Sequence, residues 1–180
     1  MKTALTGEKG FTLIEILMAI VIIGIVSAVA GMMIYEGARS FGAMDARSEL
    51  SADGLLAVER ASRELRLVRC TASGNSCAPQ AADITAWTAS EVRFVNTLSE
   101  GRGLRLDAGA LKLRQGSIAV DPEDALANNV SALSFEYLKT DGSAASAVSD
   151  IWIINMNLTL TSGAESLDLK ASIHPRSFNK

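Results

Sequence analysis

The bond between Gly10 and Phe11, together with the carboxylate of Glu15, is the pairing in this sequence whose spacing most directly implies chemistry. If that bond is cut, a free amine appears on Phe11, one helical turn from Glu15 and available to a neighbouring chain. A charged pair formed between chains in a low dielectric would set the axial register of a polymer. Glu15 also has a plainer use. In the headgroup region of a bilayer, at the start of a helix, the helix dipole favours an acid. At the centre of a membrane helix the same acid would cost about 2.5–3.5 kcal/mol, so its place at the edge of an apolar run matters.

Cys70 and Cys77 are the only cysteines and His174 the only histidine. That set does not complete a four-ligand zinc site, so neither a metal nor a cofactor is expected. The spacing of Cys70 and Cys77 permits a small disulfide loop, which fits an oxidising compartment. Two free buried thiols are the alternative. His174, beside Pro175, reads as a strand-end residue with no chemistry. Arg60, Arg63, Arg66 and Arg69 could be taken for a nucleic-acid stripe, but Glu59 and Glu64 interrupt them, no aromatics accompany them, and the net charge is −3. A solvated helix end accounts for them better, and nucleic acid is not expected as a partner. Asp121-Pro122-Glu123-Asp124 reads as an N-cap, a proline at the first helical position and first-turn acids, in preference to a calcium loop. No Gly-x-Ser-x-Gly, His-Glu-x-x-His or phosphate-cradling loop occurs, and the chain is read as not an enzyme.

The elements that must position these groups follow from the apolar pattern. With 180 residues, 48% apolar and 21% charged, the chain suits one compact domain plus an extended element. Residues 16–34 carry no charge and as a helix reach about 28 Å, close to the hydrocarbon thickness of a bilayer. Lys2 and Lys9 precede the run, so the positive-inside rule leaves Met1 cytoplasmic and sends the rest across. A secretory signal is the competing reading, with Ala28-Val29-Ala30 as a small-x-small site and a mature start at Gly31. Against it, the apolar run continues through Met32, Met33 and Ile34, and an acid stands at its upstream edge.

Beyond Tyr35 the helix is expected to continue but turn amphipathic, since no proline occurs before Pro79. Leu55, Val58, Ser62 and Leu65 form a stripe at helical spacing, with Glu59–Arg63 and Arg60–Glu64 as i,i+4 pairs on the wet side and Arg66 and Arg69 near the C-terminal end. Gly24, Gly31, Gly37, Gly42 and Gly54 would permit close helix approach in a bundle. After Cys70 the pattern changes to strands. Glu91 to Val95 alternates, and Leu104–Leu106 and Leu111–Leu113 flank a turn at Asp107-Ala108-Gly109. Leu133, Phe135 and Tyr137 share a face, and Asp141-Gly142 is a turn. Trp152, Ile154, Met156, Leu158 and Leu160 suit a central strand, with the Trp152–Met156 stripe as core, and Leu167, Leu169, Ala171 and Ile173 form the last strand.

Gly10-Phe11-Thr12-Leu13-Ile14-Glu15 resembles the processing signature of type IV prepilins and type II secretion pseudopilins. The resemblance implies cleavage after Gly10 by a prepilin peptidase, N-methylation of Phe11, and a role for Glu15 in subunit recruitment and polymerisation. Residues 129–137 and Arg63-Glu64-Leu65-Arg66 are similar to segments of J-type and W-type minor pilins and pseudopilins. The lack of the helix-breaking proline of many major pilins favours a minor subunit, and Glu15 disfavours the tip-most pseudopilin class. The implied fold is α+β: a long N-terminal helix, transmembrane in its first half, packed on an antiparallel β-sheet domain. Its expected parts are a leader over 1–10, a transmembrane or filament-core helix over 11–35, an amphipathic helix over 36–70, and an extracytoplasmic β-rich domain over 71–180. The implied function is a minor pilin or pseudopilin that primes, caps or joins a pilus or pseudopilus. It would start in the inner membrane with its C-terminal domain in the periplasm. Its partners would be other pilins, the prepilin peptidase and the assembly platform. A filament-tip adhesion module, or a soluble periplasmic protein cleaved after Ala30, are the alternatives.

Overall fold

The computed structural model describes residues 10–71, 77–116 and 122–178; residues 1–9 of the expected leader and Asp121 lie outside these. The chain divides into two compact units, Met1–Met44 and Asp45–Lys180. One helix, α1 (Leu13–Arg66), runs through the boundary. In the first unit the described residues are almost all helix, and none is buried. Gly24, Gly31, Gly37 and Gly42 there have nothing within 4 Å of an added Cβ.

In the second unit, α1 turns Leu50, Gly54, Ala57, Ala61, Glu64 and Leu65 inward, a single face at i, i+4, i+7 and i+11. This differs from the stripe read from apolar spacing: Leu65 is buried, Val58 and Ser62 are half-buried, and Leu55 is 60% exposed. The reason is close approach. A Cβ on Gly54 would stand 2.6 Å from Leu169 Cδ1 and 3.0 Å from Leu160 Cδ1, so small residues let the helix sit down on the sheet where leucines would hold it off. Gly54 therefore serves packing within its own chain. Gly54→Leu is expected to destabilise the protein by roughly 1–3 kcal/mol through overpacking, despite leucine's better helix propensity. Gly42→Ala, in open space, should stabilise by up to about 1 kcal/mol. Thermal unfolding of the two variants checks the contrast.

Among the described residues, eight strands complete the second unit. Five make one antiparallel meander in chain order: β1 (Ile84–Trp87), β2 (Glu91–Val95), β3 (Gly101–Asp107), β4 (Ala110–Gln115) and β5 (Glu123–Ala127). Three make a second: β6 (Val130–Leu138), β7 (Ile153–Ser162) and β8 (Glu165–Ile173). A 3-10 turn, Val148–Asp150, precedes β7. The hairpin read around Asp107 is present. Ala108 and Gly109 both take positive φ, 49° and 75°, as a two-residue turn matched to strand twist requires. The strand series read at 152–160 is the central strand β7, with Ile154, Met156, Leu158 and Leu160 all buried. Trp152 stands just before it, half-buried and packed against the core, while Met156 is fully buried within it.

The helix start read at Asp121-Pro122-Glu123-Asp124 is incorrect. Glu123–Ala127 is β5, paired with β4 through Arg114↔Glu123, Leu113↔Asp124 and Lys112↔Ala125. Local acid and proline cues were overridden by the ladder on β4 and by arginines that claim Glu123 from two strands, the tertiary context that strand propensity reflects. One apolar core joins the layers, with Leu65 and Val68 from the helix side, Phe94 and Leu113 from the first sheet, and Phe135 and Met156 from the second.

Candidate functional site

At the head of α1, Gly10, Phe11, Thr12 and Glu15 line one shallow recess. Thr12 ends the extended approach: its carbonyl accepts the first helical hydrogen bonds, from Glu15 N at 3.1 Å and Ile16 N at 3.3 Å. A threonine there with Glu15 three residues on is a capping-box sequence. Glu15 is the acid of the first turn, where unpaired amides and the helix dipole favour a negative charge. Phe11 is 79% exposed, so the Gly10–Phe11 bond precedes the helix and is sterically open. The helix behind it is long and apolar enough to cross a membrane, and its apolar stretch buries none of its residues within this chain. So exposed an apolar surface, headed by one carboxylate, is stable only in lipid or against other helices.

Farther along the chain, the charges are committed to structure. Arg63 pairs with Glu59 at 2.7 Å and Arg60 with Glu64 at 2.9 Å. Glu64 departs from the wet-side expectation: it is buried, and Arg102 also approaches it at 3.7 Å. Arg69 lies beyond the helix end, so it does not serve the helix C-terminus as expected. It runs to Asp83, donating from Nε to Oδ1 at 3.0 Å. Two of the four arginines that could have made a nucleic-acid stripe are thus tied to glutamates of α1, and a third to a buried aspartate.

Asp83 is the residue that sequence reasoning missed. It is fully buried, and its carboxylate accepts from Arg69, from the Thr71 amide and hydroxyl, and from the Gln80 amide, all at 3.0–3.1 Å. Cys70 and Cys77 are joined by a disulfide with Cα atoms 6.0 Å apart, so two of the donors flank the bridge: Thr71 directly follows Cys70, within the loop, and Gln80 lies just beyond Cys77. Nothing local marks Asp83, whose cation partner stands fourteen positions away. Burial alone would raise its pKa, but the Thr71 amide, Arg69 and Gln80 outweigh burial and hold it below the ordinary value.

On the outer side of the first sheet, Glu123 accepts from Arg105 Nε and Nη2, both at 2.9 Å, and from Arg114 Nε and Nη2 at 3.0 and 2.9 Å. The Arg105 hydrogen bonds lead, opposed by burial and helped by Arg114, and carry the Glu123 carboxyl down to about 2. Both carboxyls are depressed in the fold, while the unfolded chain takes protons near pH 4. The stability they confer is therefore full above about pH 4.5 and is lost as pH falls toward 2. The thermal midpoint is expected to stay level from pH 7 to 5 and to fall below about 4.5. Glu123→Gln should flatten that acid limb, and an unchanged limb would assign it to other carboxylates.

Among the described residues no group of three or more His, Cys, Asp or Glu is placed to hold a metal ion. His174 meets Trp152 edge-on with ring centroids 4.4 Å apart. The family profile described as the prokaryotic N-terminal methylation motif matches residues 5–31. Among curated proteins, none matches this chain. The matched segment takes in Gly10, Phe11, Glu15 and most of the apolar run, and in that segment the chain is type IV pilin-like.

Proposed function

We propose that this chain is a minor pilin or pseudopilin: an assembly subunit, not an enzyme, that joins a helical filament through its N-terminal helix. The observation that carries this reading is the helix head itself. An open Gly10–Phe11 bond, a first-turn Glu15 and an apolar stretch with no partner in its own chain stand together inside a methylation motif. A prepilin peptidase cuts after Gly10 and Phe11 is N-methylated. The subunit starts in the inner membrane, with the β-rich domain on the periplasmic side. The assembly platform then moves it into a pilus or pseudopilus, where its apolar helix packs against those of other pilins. The Phe11 amine of one subunit meets the Glu15 carboxylate of another, and in that dry bundle a missing charge partner is costly. A disulfide at Cys70–Cys77 fits the oxidising side of that membrane.

Mass analysis of the N-terminal peptide of the mature chain tests the reading. A peptide beginning with methylated Phe11 is expected. One beginning at Gly31 would mean that the helix is discarded and the domain secreted. An unprocessed Met1 start would remove the free amine on which assembly depends.

A further inference from the structure

The solvent side of the three-stranded sheet carries a second feature, independent of the filament reading. Along β7 the inward positions Ile154, Met156 and Leu158 are buried, while Asn155 and Asn157 take two successive outward positions between them. Asparagine is depleted in strands, and a half-exposed central strand would be better served by threonine or valine. Two such departures side by side, at the middle of a sheet, are where a function displaces local preference.

The neighbours fit that view. Register places Glu136 opposite Asn155, with Ser172 beyond it, and Ser134 opposite Asn157, with Lys170 beyond it. Glu136, Asn155, Asn157, Lys170 and Ser172 line one recess of about 440 Å³. Asn157 Nδ2 donates to Ser134 Oγ at 3.3 Å, which leaves its amide oxygen as an acceptor not used by that bond. Glu136 and Lys170 stand at diagonal corners, their Cα atoms roughly 12 Å apart by strand spacing and rise. Among the described residues neither takes part in an ion pair, whereas Glu64, Glu91, Asp107 and Glu123 all do. On β8 the exposed outward row Lys170, Ser172 continues to His174, whose ring meets Trp152.

We propose that this recess binds a neutral, hydroxyl-rich saccharide. The side-chain amides of Asn155 and Asn157 and the hydroxyl of Ser172 bring donors and acceptors to the same recess, the groups that hydroxyls pair with. One acid and one ammonium cancel, which gives a polyanion no net attraction. Apart from Ala171 the floor offers no apolar surface for a peptide side chain.

The test uses the full chain in phosphatidylcholine nanodiscs, which carry no sugar headgroup. Chitotetraose and maltotetraose are the saccharide probes, the blocked peptide Ala-Lys-Glu-Ala is the control, and saturation-transfer NMR is the readout. Saturable binding of at least one saccharide is expected. It should weaken at least tenfold in the double variant Asn155→Thr, Asn157→Thr, whose thermal midpoint should be unchanged or higher because threonine suits a strand. Lys170→Gln, at an exposed edge position, should weaken it several-fold without touching the core. Binding of neither saccharide, binding of the peptide alone, or undiminished binding in both variants would each overturn the proposal. None of these outcomes bears on N-terminal processing, so the two readings fail separately.

Discussion

Replacing Glu15 by alanine is expected to leave membrane insertion intact and to lower incorporation into filaments about a hundredfold or more. Insertion depends on the apolar stretch behind Glu15, which the change leaves untouched and makes slightly more apolar. Under the proposed function, assembly depends on what meets the Phe11 amine of the adjoining subunit. Removing one member of a buried charge pair costs about 3–5 kcal/mol because the other is left unpaired, and each 1.4 kcal/mol is a factor of ten. Glu15→Gln should recover little, since an amide does not neutralise an ammonium, whereas Glu15→Asp should recover part. The measurement is the ratio of subunit in sheared filaments to subunit in the inner membrane, by immunoblot. A native ratio for Glu15→Ala would leave the carboxylate only its helix-capping role.

The second large effect is expected at Asp83. Asp83→Ala leaves the Thr71 and Gln80 amides and the Arg69 guanidinium facing a cavity. Unsatisfied buried donors cost about 1–3 kcal/mol apiece at most, and loss of one partner of a buried ion pair costs about 3–5 kcal/mol. These overlap, so a total of about 3–5 kcal/mol is expected, a large share of the ~5–15 kcal/mol that holds a domain together. The thermal midpoint should fall by roughly 10 °C or more. Asp83→Asn keeps one acceptor oxygen and should fall between. The damage should centre where Asp83 ties chain segments together: Val95 N donates to its carbonyl, and Arg69 N to the carbonyl of Val95. Hydrogen exchange should therefore rise first at β1, β2 and residues 67–71. A midpoint within a degree or two of native would mean that Asp83 is spectator to the fold.

Much of this protein was legible in its residues. The membrane-length run, the glutamate at its edge and the Gly10–Phe11 pair are local features. They follow from transfer free energy and from spacing along one helix, neither of which needs a partner element. The same holds for the Asp107 hairpin, where a glycine and a short turn between alternating runs suffice, and for β7, whose period-2 pattern is unbroken. What the residues did not disclose is long-range. Which face of α1 turns inward was decided by how near the helix comes to Leu160 and Leu169, so Gly54 and two alanines prevailed over Leu55. Glu123 became a strand residue because two arginines on other strands reach it. Asp83 found its donors across a disulfide loop. In each case the energy lies in contacts between segments far apart in the chain, which only a packed structure brings within a hydrogen bond's length.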